Sequence, residues 1–421
     1  METYRFLFDL AIILLSTKVL GLVSKKFHMP QVVGALLAGL ILGPACIDLI
    51  HESNFIQSSA EIGVIVLMFC AGMETDIKEL KRSGKASLVI AIIGVIVPLI
   101  GGYLVGAFYN VPGRIVSDAT ASITLQNIFI GIILTATSVS ITVETLKELG
   151  KLKTRSGNAI LGAAIIDDIL GIIGLTIVTS MADTSVNVVV VLLKIAGFFV
   201  FAILVGMIFN KLYSIWSESA ERDMHRHAII AFVFCLLMSY VAERFFGVAD
   251  ITGAFIAGLV ISSTKRSKYI AAKFDVLSYI YLSPIFFASI GLKVILPKMN
   301  GTIIAFAVIL VVVAILTKVI GCGLGAKLCH YENYQSIRIG VGMISRGEVA
   351  LIVASKGASL GLLGSSFLGP IVVVVVITTI ITPILLKIVF KKKPDLTSIP
   401  EGEGFSNNYE ELARMRNESN K

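Results

Sequence analysis

Long apolar stretches alternate with short polar breaks along most of the chain. A helix that crosses a bilayer needs about 20 consecutive, mainly apolar residues, and the stretches have roughly this length. We therefore predict an all-α polytopic membrane protein with thirteen transmembrane helices. The predicted spans, in chain order, are residues 5–23, 30–47, 57–73, 86–108, 124–145, 155–180, 187–211, 227–245, 249–264, 276–293, 302–327, 335–356 and 366–390.

Composition and charge agree with this class and indicate an orientation. Of the 421 residues, 56% are hydrophobic and 15% are charged, and the mean hydropathy is +0.90. Lys and Arg residues concentrate in the loops after the odd-numbered spans, which the positive-inside rule assigns to the cytoplasm. We expect a multi-pass protein of the plasma or inner membrane, with its N-terminus outside and its C-terminus in the cytoplasm. The net charge of +8 is then explained by the Lys and Arg residues of these loops, and it does not indicate a nucleic-acid partner.

The second and ninth predicted spans share a pattern of small residues. Glycine and alanine occupy the same positions in Gly34–Leu42 and Gly253–Ile261. Spans that are seven helices apart cross the membrane in opposite directions, as in the inverted repeats of secondary transporters. We therefore predict two inverted repeats of six helices, formed by the first six and the last six spans, with the seventh span between them.

Two adjacent carboxylates, Asp167 and Asp168, lie in the middle of the sixth predicted span. Each ionisable group at the centre of a membrane helix costs about 2.5–3.5 kcal/mol on insertion scales. Two neighbouring carboxylates also repel each other unless a proton or a cation neutralises one of them. A purely structural role is therefore a poor explanation, and we predict a site that binds protons or metal cations within the membrane.

Three further polar features lie at similar depth in other spans. The fifth span carries hydroxyl side chains from Thr135 to Thr142, which favour an interrupted helix or ordinary helix packing. If the helix is interrupted, Thr137 and Ser138 can offer oxygens to a cation. Lys318 in the eleventh span either snorkels to the interface or pairs with a midplane carboxylate, and Asp167 favours the ion pair.

The twelfth span contains Arg346 and Glu348 with Gly347 between them. A glycine between two charges deep in a span favours a second broken helix. Charges at such a break compensate the exposed dipoles of the half-helices or pair across the crossing. We predict a stabilising structural role for both charges, and no direct contact with the transported ion.

Together these motifs resemble a known family. The chain is similar to the monovalent cation:proton antiporters, in the second branch of that superfamily, over residues 1–390. Its pattern is nearest to the NapA-type and spore-germination-type sodium/proton antiporters, and its membrane part also resembles Kef-type potassium efflux proteins. The motifs that carry the resemblance are Asp167–Asp168, Thr135–Ser140, Lys318, the ISRGEVAL run Ile344–Leu351 and Ser283–Leu292.

The resemblance implies a homodimer whose protomers contain a moving core with two crossed broken helices. It implies this division: residues 1–73 and 227–293 for dimerisation, 86–180 and 302–390 for the core, and 187–211 as connector. We also expect a disordered cytoplasmic tail at 391–421, because this stretch is polar and carries charges of both signs.

The resemblance also implies roles for the charged residues. Asp168 is expected to bind the monovalent cation, Asp167 to pair with Lys318, and both aspartates to carry protons. The pair of aspartates implies electrogenic exchange of Na⁺, Li⁺ or K⁺ for H⁺. The resemblance to transporters implies no cofactor and no enzymatic activity. A channel-like K⁺ efflux protein and a Na⁺-coupled solute symporter of related fold remain alternatives.

Overall fold

The computed structural model describes residues 4–27, 29–75, 77–182, 187–219, 224–295 and 299–391, and all regular secondary structure in these ranges is helical. Residues 392–421 of the predicted disordered tail lie outside them. The helices are α1 (Arg5–Lys26), α2 (Gln31–Leu42), α3 (Asn54–Glu74), α4 (Ile77–Tyr109), α5 (Ile123–Thr135), α6 (Val139–Glu148), α7 (Arg155–Ala182), α8 (Val188–Ser219), α9 (Met224–Val241), α10 (Asp250–Ser262), α11 (Ser267–Leu277), α12 (Ser283–Leu292), α13 (Gly301–Leu328), α14 (Asn333–Gly342), α15 (Glu348–Ser359) and α16 (Ser365–Lys391).

The helical membrane class predicted from the sequence is confirmed. By length and composition, ten helical segments of the described chain are suited to crossing a membrane, and α2 and α10 are shorter apolar helices. The structure thus supports a multi-span protein, while the count of thirteen membrane crossings stays a prediction. Large apolar side chains cover the exposed faces of α1, α4, α8 and α13, as expected where protein meets lipid.

Two predicted spans are interrupted in the middle. The fifth consists of α5 and α6, which are separated by Ala136–Ser138, where Ser138 has extended backbone angles. The twelfth consists of α14 and α15, which are separated by Met343–Gly347. Hydroxyl-bearing and glycine residues weaken a helix at these points, because they offer the backbone other hydrogen bonds or more freedom. Each break exposes backbone groups that must find partners inside the protein.

The helices pack in two groups. Helices α1–α3 pack with α9–α12, and we call them the α3 group. Helices α4–α7 pack with α13–α16, and we call them the α4 group. Helix α8 contacts α7 in one group and α10 in the other, and α6 reaches across to α2 and α3. The roles expected for these groups, dimerisation and movement, stay predictions.

Glycines allow the helices of the α3 group to cross at close range. A Cβ on Gly39 of α2 would lie 1.9 Å from the carbonyl oxygen of Ala288 in α12. A Cβ on Gly258 of α10 would lie 2.2 Å from the carbonyl oxygen of Phe69 in α3. Membrane helices associate through such small residues, because backbones that approach closely gain van der Waals contact.

Candidate functional site

The two helix breaks lie against each other in the α4 group. The backbone N–H of Ser138 donates to the carbonyl of Ser345 at 2.7 Å, and the Ser345 hydroxyl donates to the carbonyl of Ser138 at 2.8 Å. The hydroxyl of Thr142 donates to the carbonyl of Gly342 at 2.7 Å. The crossing thereby satisfies backbone groups that the interrupted helices leave free, which a membrane interior requires.

Arg346 lies at the crossing and is buried. Its guanidinium donates to the carbonyl of Ile344 at 2.8 Å, to that of Leu134 at 2.7 Å and to that of Ala314 at 3.2 Å. Its own carbonyl accepts a hydrogen bond from the hydroxyl of Thr379 in α16. The positive charge therefore lies at the carbonyl end of α5, where the helix dipole is negative.

Glu348 is the first residue of α15, where its charge faces the positive end of that helix dipole. One oxygen of its carboxylate, Oε2, is buried without a hydrogen-bond partner. Among the described ion pairs, none joins Glu348 to Arg346, which donates to carbonyls instead. Of the two arrangements considered for these charges, the geometry favours compensation of the half-helix dipoles over a direct pair.

Asp167 of α7 and Lys318 of α13 form a buried ion pair beside the crossing. The Lys318 Nζ lies 3.0 Å from Oδ1 and 3.1 Å from Oδ2 of Asp167, and both side chains are almost completely shielded from solvent. Thr137, in the first break, lies near Asp167, and its hydroxyl donates to the carbonyl of Thr135 at 3.5 Å. Two charges at this depth offset each other's desolvation only when they stay together.

Asp168 follows Asp167 on α7, and adjacent residues of a helix point about 100° apart. It is more exposed than Asp167 and is only partly buried. The charges that act on it are two carboxylates, Asp167 and Glu348, and the ammonium group of Lys318, which is already paired. Among the described residues, none forms an ion pair with Asp168, which lies next to a pair that is internally neutral.

The predicted site residues lie around this crossing, in different surroundings. Thr137 contacts Asp167, while Ser138 forms part of the crossing itself. The ion-binding and proton-carrying roles assigned to them stay predictions. Sequence reasoning did not single out Ser345 and Thr379, although hydroxyl residues within the twelfth and thirteenth predicted spans were a signal that could have found them.

Comparison with known proteins identifies the class of protein. Residues 11–392 match the family model for the transmembrane part of sodium/hydrogen exchangers. The chain belongs to this sodium/hydrogen exchanger family, which confirms the superfamily expected from its motifs. Membership also confirms that the chain is a transporter rather than an enzyme.

Individual relatives are similar over nearly their whole length. The Na⁺/H⁺-K⁺ antiporter GerN of Bacillus cereus is 41% identical over 93% of this chain and 97% of its own. A Na⁺/H⁺ antiporter of Enterococcus hirae is 38% identical over 92% of this chain and 99% of its own. The solved structure of the sodium/proton antiporter MjNhaP1 of Methanocaldococcus jannaschii has a TM-score of 0.65, with 93% of this chain and 98% of that chain covered. At 19% identity it supports the fold alone.

Proposed function

We propose that this protein exchanges Na⁺ for H⁺ across a membrane, and that the two ions compete for Asp168. The observation that carries the proposal is a partly buried carboxylate beside a buried, internally neutral Asp167–Lys318 pair, at the crossing of two broken helices. Relatives named as Na⁺/H⁺ antiporters support the pair of substrates, and the name of GerN adds K⁺.

The surroundings of Asp168 suit a hard monovalent cation, which takes oxygen ligands. We infer that the Asp168 carboxylate supplies the charge, and that hydroxyls and carbonyls of Thr137 and Ser138 complete the oxygen shell. Until the cation arrives, the Asp167–Lys318 pair is neutral, so it does not repel the cation. Because one carboxylate takes either a proton or a cation, binding of one ion releases the other.

Coupling follows from the cost of moving charge through an apolar barrier. A bare carboxylate is expensive at bilayer depth, so the α4 group moves only when a proton or a cation neutralises Asp168. When the cation arrives, Asp167 leaves Lys318 and turns toward the cation, and Lys318 releases a second proton to the same side of the membrane. Two protons for one cation make the exchange electrogenic, and the membrane potential contributes about 2.3 kcal/mol per charge per 100 mV.

We propose thirteen membrane crossings in two inverted repeats. The close contact of Gly39 in α2 with Gly291 in α12 has a counterpart in the contact of Gly258 in α10 with Gly72 in α3. Gly39 and Gly72 of the first repeat occupy the same positions as Gly258 and Gly291 of the second. Each contact joins a residue of one repeat to a residue of the other, so the two contacts are equivalent, as expected for an inverted repeat. The α3 group then serves as the dimerisation domain of a homodimer, and the α4 group is the moving core.

Basic loops support an orientation in the cell membrane. Lys and Arg cluster in the first turns of α4, which follow the end of α3, and in the loops after α6 and α10. The positive-inside rule assigns this end of the bundle to the cytoplasm. We therefore propose an outside N-terminus and a cytoplasmic C-terminus.

The test of this function is proton movement in proteoliposomes that contain the purified protein, on addition of Na⁺, Li⁺ or K⁺. We expect cation-dependent proton flux that falls to the level of empty liposomes in Asp168→Asn, because the amide neither binds a proton at neutral pH nor carries charge for a cation. Asp48→Asn, a change of an exposed loop carboxylate, is the matched control and should transport like the unchanged protein. Cation flux without proton movement would contradict antiport and favour the channel or the symporter.

A further inference from the structure

A second charged cluster joins the two helix groups, away from the Asp168 site. Lys147, in the last turn of α6, places its Nζ 2.5 Å from Oδ1 of Asp275 in α11 and 3.2 Å from Oε1 of Glu74 at the end of α3. The three side chains are 22%, 17% and 21% exposed, so they are largely shielded. Lys147 belongs to the α4 group, whereas both carboxylates belong to the α3 group.

The next residue of α6 makes a second contact across the same boundary. The Glu148 carboxylate accepts hydrogen bonds from the backbone N–H of Gln31, at 2.8 and 2.9 Å to its two oxygens. Gln31 begins α2, so this carboxylate caps the positive end of a helix in the α3 group. The final turn of α6 is therefore fastened to two helix ends of the other group, α2 and α3, and to α11.

Helix α6 connects these contacts to the ion site. It begins next to Ser138, in the break that contacts the Asp167 pair, and ends at Glu148. Any displacement of the α4 group relative to the α3 group must pull Lys147 away from Glu74 and Asp275. By contrast, the ion pair between Lys293 and Glu52 joins two residues of the α3 group, near the start of α3, and such a displacement leaves it intact.

We propose that Lys147, Glu74 and Asp275 form the cytoplasmic gate of the exchanger, closed in this structure and opened when the core moves. The proposal rests on the alternating access proposed above. Partly shielded ion pairs contribute modestly to stability, so the gate favours the closed state without making the open state inaccessible. Loss of the gate is expected to shift the balance toward the cytoplasm-open state by about fivefold.

A native cysteine reports on the gate. Cys70 lies one turn before Glu74 on α3 and is buried in the closed state. In a chain whose other cysteines are replaced by serine, we would measure alkylation of Cys70 by a membrane-impermeant maleimide in everted vesicles. We expect Lys147→Met to raise the alkylation rate about fivefold. Lys147→Arg should restore the slow rate, because the charge returns.

The matched control is Lys293→Met, which removes an ion pair of similar exposure that stays within the α3 group and should leave Cys70 slow to react. The double change Glu74→Gln/Asp275→Asn removes both carboxylates that pair with Lys147. It should raise the alkylation rate of Cys70 as Lys147→Met does. Equal alkylation rates of Cys70 in the unchanged protein and both gate variants would overturn the proposal. A higher alkylation rate of Cys70 in Lys293→Met would overturn it as well. Alkylation needs no ion exchange, so the outcome is separate from that of Asp168→Asn.

Discussion

Two adjacent aspartates of one helix face different surroundings. Asp167 is paired with Lys318 and is closed to solvent, whereas Asp168 is partly exposed. A helix turns about 100° per residue, so neighbours in sequence meet different partners. In the mechanism proposed above, Asp168 is the carboxylate that exchanges its proton for a cation, and the Asp167–Lys318 pair lies beside it.

At this scale we predict that the Asp167–Lys318 pair is stable only as a whole. Lys318→Met leaves a buried aspartate without its cation, and such losses cost about 3–5 kcal/mol. We expect a large drop in the thermal unfolding temperature of the purified protein in detergent. The double variant Asp167→Asn/Lys318→Met carries no unpaired charge, so it should recover most of the lost stability. A double variant that is no more stable than Lys318→Met would contradict this account.

At the scale of elements, the helix breaks of the α4 group and the close helix crossings of the α3 group contribute differently to the fold. The breaks bring polar backbone to the middle of the α4 group, and the hydroxyls of Ser345 and Thr142 satisfy it. The crossings in the α3 group depend on glycine, because Gly39 and Gly258 bring backbones within contact distance. One group is therefore polar and interrupted at its centre, and the other is tightly packed.

We predict that Gly39→Ala destabilises the α3 group. Its Cβ would lie 1.9 Å from the carbonyl oxygen of Ala288, so α2 and α12 must separate. We expect a lower unfolding temperature in detergent and a lower yield of folded protein. Gly84→Ala in α4 is the control, because nothing lies within 4 Å of its Cβ and alanine favours a helix. Equal stability of the two variants would show that the close crossing is not required.

At the scale of the molecule, polar contacts at the end of α6 join the two groups. Other contacts stay within one group. Asp118, in the loop before α5, accepts hydrogen bonds at 2.7 Å from the backbone N–H and the hydroxyl of Ser365, the first residue of α16. These hydrogen bonds stabilise the charged form and lower the pKa of the exposed Asp118. A rigid-body movement leaves such contacts intact and breaks those of Lys147.

We predict that joining the groups stops exchange, whereas joining two points of one group does not. In a cysteine-free chain, Lys147→Cys/Asp275→Cys would be linked by a short reagent that a reductant cleaves. Linking should reduce proton flux to background, and cleavage should restore the flux of the unlinked variant. The control is Asp118→Cys/Ser365→Cys, which links two points of the α4 group. Full flux in the linked Lys147→Cys/Asp275→Cys variant would show that these groups do not move apart.

The sequence by itself determined the helical membrane class and placed Asp167, Asp168 and Lys318 within apolar spans. Hydroxyl residues in the fifth span and Gly347 in the twelfth indicated where a helix is weak, and the structure shows that both spans are interrupted there. Each of these is a property of consecutive residues: apolar length, hydroxyl and glycine content, and distance from the ends of a span. The superfamily also followed from the combined motifs, and the match to the sodium/hydrogen exchangers confirms it.

Only the tertiary structure decided which of these residues meet. Lys147 and Asp275 are separated by 128 residues, and nothing in either local sequence distinguishes them from ordinary loop charges. Arg346 lies two residues from Glu348, but it donates to carbonyls of three different segments, because the folded crossing brings those carbonyls within reach of its guanidinium. Partners across a membrane bundle are set by how the helices pack, and a buried charge takes whichever partner that packing brings within reach.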